Sequence, residues 1–145
     1  MRTYLLSLAI LLSATVVLAH KNVQNAAVLE WMDSMVVLAD QLKIIGDMAK
    51  GSTEFNAEVA RSAAAQLSQE ALRIDALFGT PQFDHASEAL PAIWEDYETF
   101  TTIAQDLVQV SAGAANDIQD MEDLLVSLRE IGSTCQECHE DFRAP

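Results

Sequence analysis

The last amphipathic stretch of the chain reads Ile131-Gly132-Ser133-Thr134-Cys135-Gln136-Glu137-Cys138-His139-Glu140-Asp141-Phe142-Arg143. It contains a C-x-x-C-H motif, which is typical of covalent haem c attachment: two thiols add to the haem vinyl groups and the adjacent imidazole binds the iron. On a helix these three residues are three or four positions apart and share one face. The motif therefore predicts one haem c, held by Cys135 and Cys138, with His139 as an axial ligand.

A cysteine pair can also form a disulfide, a redox dithiol or half of a zinc site. A structural zinc site needs further paired Cys or His ligands, but this chain has no other cysteine and only two other histidines, His20 and His85. A redox dithiol fits better near a βαβ pattern, and the sequence shows none. A non-haem helical bundle with redox thiols or a metal stays as a second alternative.

The first 19 residues read as a secretory signal peptide. Met1-Arg2 is positively charged, residues 5–18 form an apolar run with small residues mixed in, and Val17-Leu18-Ala19 resembles a cleavage site before a polar stretch. The apolar run is shorter than the roughly 20 residues of a spanning helix, so no integral membrane segment is expected after cleavage. Haem c is attached outside the bacterial inner membrane. We therefore predict residues 1–19 as signal peptide, residues 20–145 as the mature domain, and the periplasm as its location.

The charge is strongly acidic. The chain has 22 acidic residues against 8 Lys and Arg, a formal net charge of −14. This argues against nucleic acid or an anionic membrane surface as partner. It is compatible with a redox partner protein that offers a basic docking surface.

The rest of the sequence is helical in pattern, without strand-like alternation or hairpin signals. Apolar residues three or four apart predict four helices, at about 23–50, 54–78, 88–110 and 117–142. We expect Ser52 or Thr53 to cap the second helix, residues 111–115 to form a turn, and Asn116 to cap the fourth. Met121, Leu125, Leu128 and Ile131 are expected on the inner face of the fourth helix. The predicted fold is all-α, an antiparallel four-helix bundle with covalent haem c near the C-terminus of the last helix.

The chain resembles the class II cytochromes c, the cytochrome c-prime family. The ending 132–143 resembles the family pattern G-x-x-C-x-x-C-H-x-x-F-R. Leu90-Pro91-Ala92-Ile93-Trp94-Glu95 resembles the opening of the family's third helix, and Ala49-Lys50-Gly51 resembles the end of its first. The resemblance covers essentially all of residues 23–143.

The resemblance implies that His139 is the proximal ligand and that Cys135 and Cys138 hold the porphyrin. It places Arg143 near the proximal haem face, although a cation at a helix C-terminus is favourable in any case. Counting back from Ala49-Lys50-Gly51 without gaps puts Met35 at the distal position.

A methionine there would complete a six-coordinate iron with a raised reduction potential. The competing interpretation is that Met35 only packs in the core. Met32 and His85 are rival ligands. Many family members have an arginine where this chain has Trp31, so the register of the first helix could differ by one turn.

The leading prediction is a periplasmic mono-haem electron carrier that is not an enzyme. The alternative is a five-coordinate cytochrome c-prime that binds nitric oxide or carbon monoxide, with Met35 as packing above a vacant position. The family often forms dimers through the first two helices, and Val36, Val37 and Ile44 could serve a homodimer interface or belong to a broad buried stripe.

Overall fold

The computed structural model of the chain describes residues 22–145, which contain six helices and no strand. In chain order they are α1 (Ala26–Ala49), α2 (Ala57–Ala71), α3 (Ile74–Phe78), α4 (Ala92–Glu95), α5 (Tyr97–Asp117) and α6 (Met121–Phe142). The four long helices form the predicted antiparallel bundle, in which α2 packs against α1 and α5, and α6 packs mainly against α5. Contact between α1 and α6 is sparser. The predicted signal peptide lies outside the described residues.

The core is built from the inward stripes of the four long helices. Its largest fully buried apolar side chains are Val28, Trp31, Ile45, Leu67, Ile93, Ile118, Leu124 and Ile131. Burying a side chain of this size stabilises the fold by roughly 1.5–3 kcal/mol, so the stripes fix which helix faces meet. None of the helices in residues 22–145 has both the length and the apolar content needed to cross a bilayer.

The second predicted helix differs in its start and its continuity. Neither Ser52 nor Thr53 caps it; the side chain of Asn56 accepts the amide of Val59 at 3.0 Å and begins the helix at Ala57. The helix is interrupted after Ala71, where the amide of Arg73 bonds to the carbonyl of Glu70, three residues back. Such a bond tightens the turn locally without reversing the chain, so α3 continues in the same layer.

The third predicted helix begins later and ends later than expected. Asp96 leaves the helical conformation and its side chain accepts the amide of Thr99, so that α4 and α5 are separate helices. The predicted turn at 111–115 is wrong, because α5 continues to Asp117. Alanine favours helix at these positions, and the buried Ser111 hydroxyl donates to the carbonyl of Leu107 one turn earlier.

The fourth predicted helix also starts later. Asp120, and not Asn116, caps α6 by accepting the amides of Glu122 and Asp123 at 2.9 and 3.1 Å. Met121 and Leu125 were predicted inside but are 36% and 44% exposed, whereas Leu124 is fully buried. A polar residue, Ser127, lies on the buried face. It interrupts the apolar pattern, so the inner face of α6 cannot be identified from hydrophobicity alone.

Candidate haem site

An apolar cavity opens between the helices beside the C-terminal half of α6. Its empty volume of about 710 Å³ includes space that is open to solvent, and its lining is predominantly apolar, as is usual for cofactor pockets. Five helices contribute its walls. The lining residues are Met35, Leu38, Ala39, Leu42, Leu67, Ile74, Phe100, Ile103, Ala104, Leu107, Thr134, Cys135, Cys138 and His139.

The last turns of α6 bring both cysteines of the motif to the wall of this cavity. Cys135 and Cys138 are partly buried free thiols with no disulfide between them. Burial raises the pKa of the Cys135 thiol. Burial also raises the pKa of Cys138 to about 11, with smaller contributions from Cys135, Asp141 and Glu137. Both groups are therefore neutral thiols at neutral pH, turned toward an apolar space.

His139 faces the same cavity one turn after Cys135. Burial lowers the pKa of its imidazole, and the nearby positive charge of Arg143 lowers it further, while Glu88 acts in the opposite direction. A neutral imidazole is the form that binds a metal. The structure thus brings all three residues of the C-x-x-C-H motif to one surface, and the lowered pKa favours the neutral form of the histidine.

Met35 reaches the cavity from α1, on a different wall from the motif. It is partly buried and packs against the core. Met32 also packs against the core but is not among the residues that line the cavity. His85 lies in the loop before α4, with a side chain 70% exposed and its Nδ1 atom 3.3 Å from Oδ1 of Asp84.

Arg143 and Trp31 lie outside the cavity wall. Arg143 terminates α6 and forms an ion pair with Glu88. Trp31 is 2% exposed and stacks on Phe78, with ring centroids 4.5 Å apart. The indole N–H of Trp31 has no hydrogen-bond partner among the described residues.

Several cavity residues did not stand out in the sequence. Ala39 and Ala104 are small residues on α1 and α5 that border the open space, and Phe100 supplies an aromatic wall. Thr134 precedes Cys135 and donates its hydroxyl hydrogen to the carbonyl of Glu130 at 3.0 Å. Only those inner-face residues that are level with the C-x-x-C-H motif line the cavity. The spacing of residues in the sequence does not show which ones these are.

The residues present fit a covalently attached haem. The cavity offers an extended apolar surface, an aromatic wall, two neutral thiols and a neutral imidazole. Among residues 22–145, no group of three or more His, Cys, Asp or Glu side chains is arranged to hold a metal ion by itself. The two thiols would hold the porphyrin, and the imidazole would bind its iron.

Comparison with known proteins points the same way. The family model described as Cytochrome C' matches residues 26–143. Cytochrome c-556 of Rhodopseudomonas palustris is 26% identical over 148 residues, covering 99% of this chain and 97% of that protein. Cytochrome c-554 of Cereibacter sphaeroides is 35% identical over 117 residues, covering 75% of this chain and 74% of that protein. The structure of oxidised R. palustris cytochrome c556 superposes with a TM-score of 0.76 at 26% identity, covering 84% of this chain and 98% of that one.

Proposed function

This chain belongs to the cytochrome c' family and carries one covalently bound haem c; from that premise we propose that it is a periplasmic electron carrier, not an enzyme. The observation that carries the proposal is the position of Met35, which lines the same cavity as Cys135, Cys138 and His139. Electron transfer through a haem requires no catalytic residue that acts on a substrate.

Each residue of the site has a proposed role. Cys135 and Cys138 form the thioether links, and His139 supplies the imidazole ligand on the proximal side. Met35 supplies a thioether sulfur as second axial ligand. Bound haem supplies a one-electron iron couple, and a His–Met axial pair raises the potential of such a couple.

The walls of the cavity support this role. Apolar side chains such as Leu38, Leu67 and Phe100 line the site, and an apolar surrounding influences both the redox potential and the access of solvent. Methionine ligation would leave no open position for a gas. The non-haem alternative is excluded by membership of the family, whereas a gas-binding protein remains the second candidate if Met35 does no more than pack.

Optical spectra of the purified holoprotein, oxidised and reduced, test the ligation. We expect a low-spin spectrum with the weak far-red band of a methionine–iron bond, lost in Met35→Ala. Met32→Ala is the matched control, because Met32 packs on the same helix without lining the cavity, and it should keep the band. A high-spin wild-type spectrum with rapid carbon monoxide binding would instead favour the gas-binding function.

We also propose a basic redox partner and a homodimer. The net charge of −14 favours a partner with a basic docking surface.

Val36, Val37 and Ile44 on α1 are 43%, 40% and 37% exposed, so they do not belong to the buried stripe. Sedimentation velocity should show Val37→Asp shifting the protein to monomer, while Val126→Asp, at a comparably exposed valine of α6, leaves it unchanged. Equal behaviour of the two variants would argue against the dimer.

A further inference from the structure

The end of α6 is fastened to the segment before α4 by a short antiparallel pairing. The amide of Leu90 donates to the carbonyl of Phe142 at 2.9 Å, and the amide of Ala144 donates to the carbonyl of Glu88 at 2.8 Å. Ala89 and Arg143 form the bridge between them. This pairing of residues 88–90 with residues 142–144, here called the clasp, holds the helix end that carries His139.

An ion pair is superimposed on the clasp. Nε of Arg143 donates to Oε2 of Glu88 at 2.7 Å, and Nη2 of Arg143 lies 2.5 Å from the same oxygen. The two side chains are 51% and 57% exposed. Ion pairs at such exposure contribute little to stability, and the backbone bonds of the clasp already fix the two segments. The side-chain pair therefore adds little to the stability of the clasp.

The surroundings of the ion pair include His139. Arg143 is one helical turn further along, and its amide bonds to the carbonyl of His139 at 3.3 Å. Glu88 is the ion-pair partner of Arg143, so a negative charge lies directly against the positive one at this end of the helix. An ion pair thus lies one helical turn from the residue that would bind the iron.

We propose that Glu88 is a positioning residue for the proximal side of the haem: it holds the Arg143 guanidinium beside His139 and offsets its positive charge, and so lowers the reduction potential. A positive charge near the iron favours the reduced state, because reduction removes one positive charge from the site, and a carboxylate next to that charge weakens the effect. Groups that surround an axial ligand are known to tune metal centres in this way. The proposal rests on haem ligation by His139 and is independent of Met35.

The midpoint potential of the holoprotein, measured by spectroelectrochemistry, tests it. In Glu88→Gln the amide oxygen still accepts from Arg143 while the negative charge is lost, so the potential should shift to a more positive value. In Glu88→Ala the guanidinium is released into water and screened, so the positive shift should be smaller. Glu88→Asp keeps the charge and should stay nearest to wild type.

Glu30→Gln is the matched control. Glu30 is 59% exposed and also pairs with an arginine, Arg73, at 3.0 Å, so its loss changes the net charge equally. It is not among the groups that act on His139, and its shift should be clearly smaller than that of Glu88→Gln. Amide exchange at Ala144 should remain slow in every variant if the backbone clasp persists.

Two results would overturn the proposal. Equal potentials for Glu88→Gln and Glu30→Gln would show that only net charge matters, and equal shifts for Glu88→Gln and Glu88→Ala would show that Glu88 does not position Arg143. If Glu88→Ala fails to fold, the midpoint potentials of Glu88→Gln and Glu88→Asp still show whether the negative charge of residue 88 lowers the potential. A high-spin wild-type spectrum would contradict ligation by Met35, but the midpoint potentials of the variants could still be compared. Failure of the proposed function and failure of the Glu88 proposal are therefore distinguishable.

Discussion

The carboxylate of Asp84 accepts a hydrogen bond from the backbone amide of Asn25, 3.0 Å away, and so joins the loop before α4 to the residue that caps α1. The same oxygen accepts the amide of Gln24 at 2.8 Å, and the other oxygen accepts the amide of Ala86 at 3.0 Å. The Asn25 side chain also donates to Gln82 at 2.9 Å. The start of α1, the helix that carries Met35, is therefore fixed by a loop more than 55 residues away in the chain.

Because of this contact we expect part of the free energy of unfolding to be lost when Asp84 is protonated in acid. Hydrogen bonds from the amides of Ala86, Gln24 and Asn25 hold the pKa of Asp84 below its ordinary value. A depressed folded-state pKa contributes stability above the unfolded value, near 3.9, and that contribution is lost as pH falls through the lower folded value. The free energy of unfolding of wild type should exceed that of Asp84→Asn at pH 6, and the difference should shrink below about pH 4.

Urea unfolding of the holoprotein at several pH values measures this difference. Asp106→Asn, which removes an exposed carboxylate from α5, changes the net charge equally and is the control. The difference in free energy of unfolding between wild type and Asp106→Asn should not shrink below about pH 4 in the way expected for Asp84→Asn. A gap between wild type and Asp84→Asn that stays constant from pH 6 to pH 3 would contradict the role given to these hydrogen bonds.

A second prediction concerns Trp94. Its indole N–H donates to the carbonyl of Phe78 at 2.7 Å, where α3 ends. In Trp94→Phe that partly buried carbonyl would lose its partner, at a cost of about 1–3 kcal/mol in the free energy of unfolding. Phe83→Leu changes a 64% exposed ring that touches the same indole edge-on and should cost clearly less. Guanidinium unfolding followed by circular dichroism measures both, and equal costs would show that packing, not the hydrogen bond, is what Trp94 contributes.

The architecture could be predicted from sequence because its information is local. The i and i+3 or i+4 spacing of apolar residues defines four helices, and the motif at 135–139 lies on one of their faces wherever the helix ends. The position of Met35 is predicted from the family resemblance, by counting back from Ala49-Lys50-Gly51, and the structure brings Met35 and His139 to the same cavity.

The errors arose where two local signals compete. Asn56 and Asp120 cap helices that Ser52 and Asn116 could also have capped, and only packing selects between such candidates. Leu124 and Leu125 are chemically the same, and the helix rotation that buries one and exposes the other is fixed by α5. The partnership of Glu88 with Arg143 spans 55 residues and leaves no trace in the spacing.

A third prediction tests the cavity itself. Ala104 is 6% exposed and lines it from α5, so Ala104→Phe would place a ring in the space for the porphyrin. The amount of covalently attached haem per protein, measured as the pyridine haemochrome, should fall several-fold. Overpacking by a ring costs about 1–3 kcal/mol. Ala65→Phe, at an exposed position of α2, should retain full haem content, and full haem content in both variants would mean that the porphyrin lies elsewhere.

The last prediction concerns the alkaline side. The Tyr97 hydroxyl lies 2.6 Å from Oδ1 of Asp75. Burial, followed by the hydrogen bond and the charge of Asp75, raises the pKa of Tyr97 to about 12. A raised pKa means that the folded state retains the proton; the stabilisation is complete below about pH 10 and is lost as pH rises toward 12. Tyr4 and Tyr97 are the two tyrosines of the chain, so with Tyr97→Phe as the blank the absorbance of tyrosinate near 295 nm reports Tyr97 alone. Asp75→Asn should lower the midpoint, and a wild-type midpoint near 10 would show that the hydroxyl is free of Asp75 in solution.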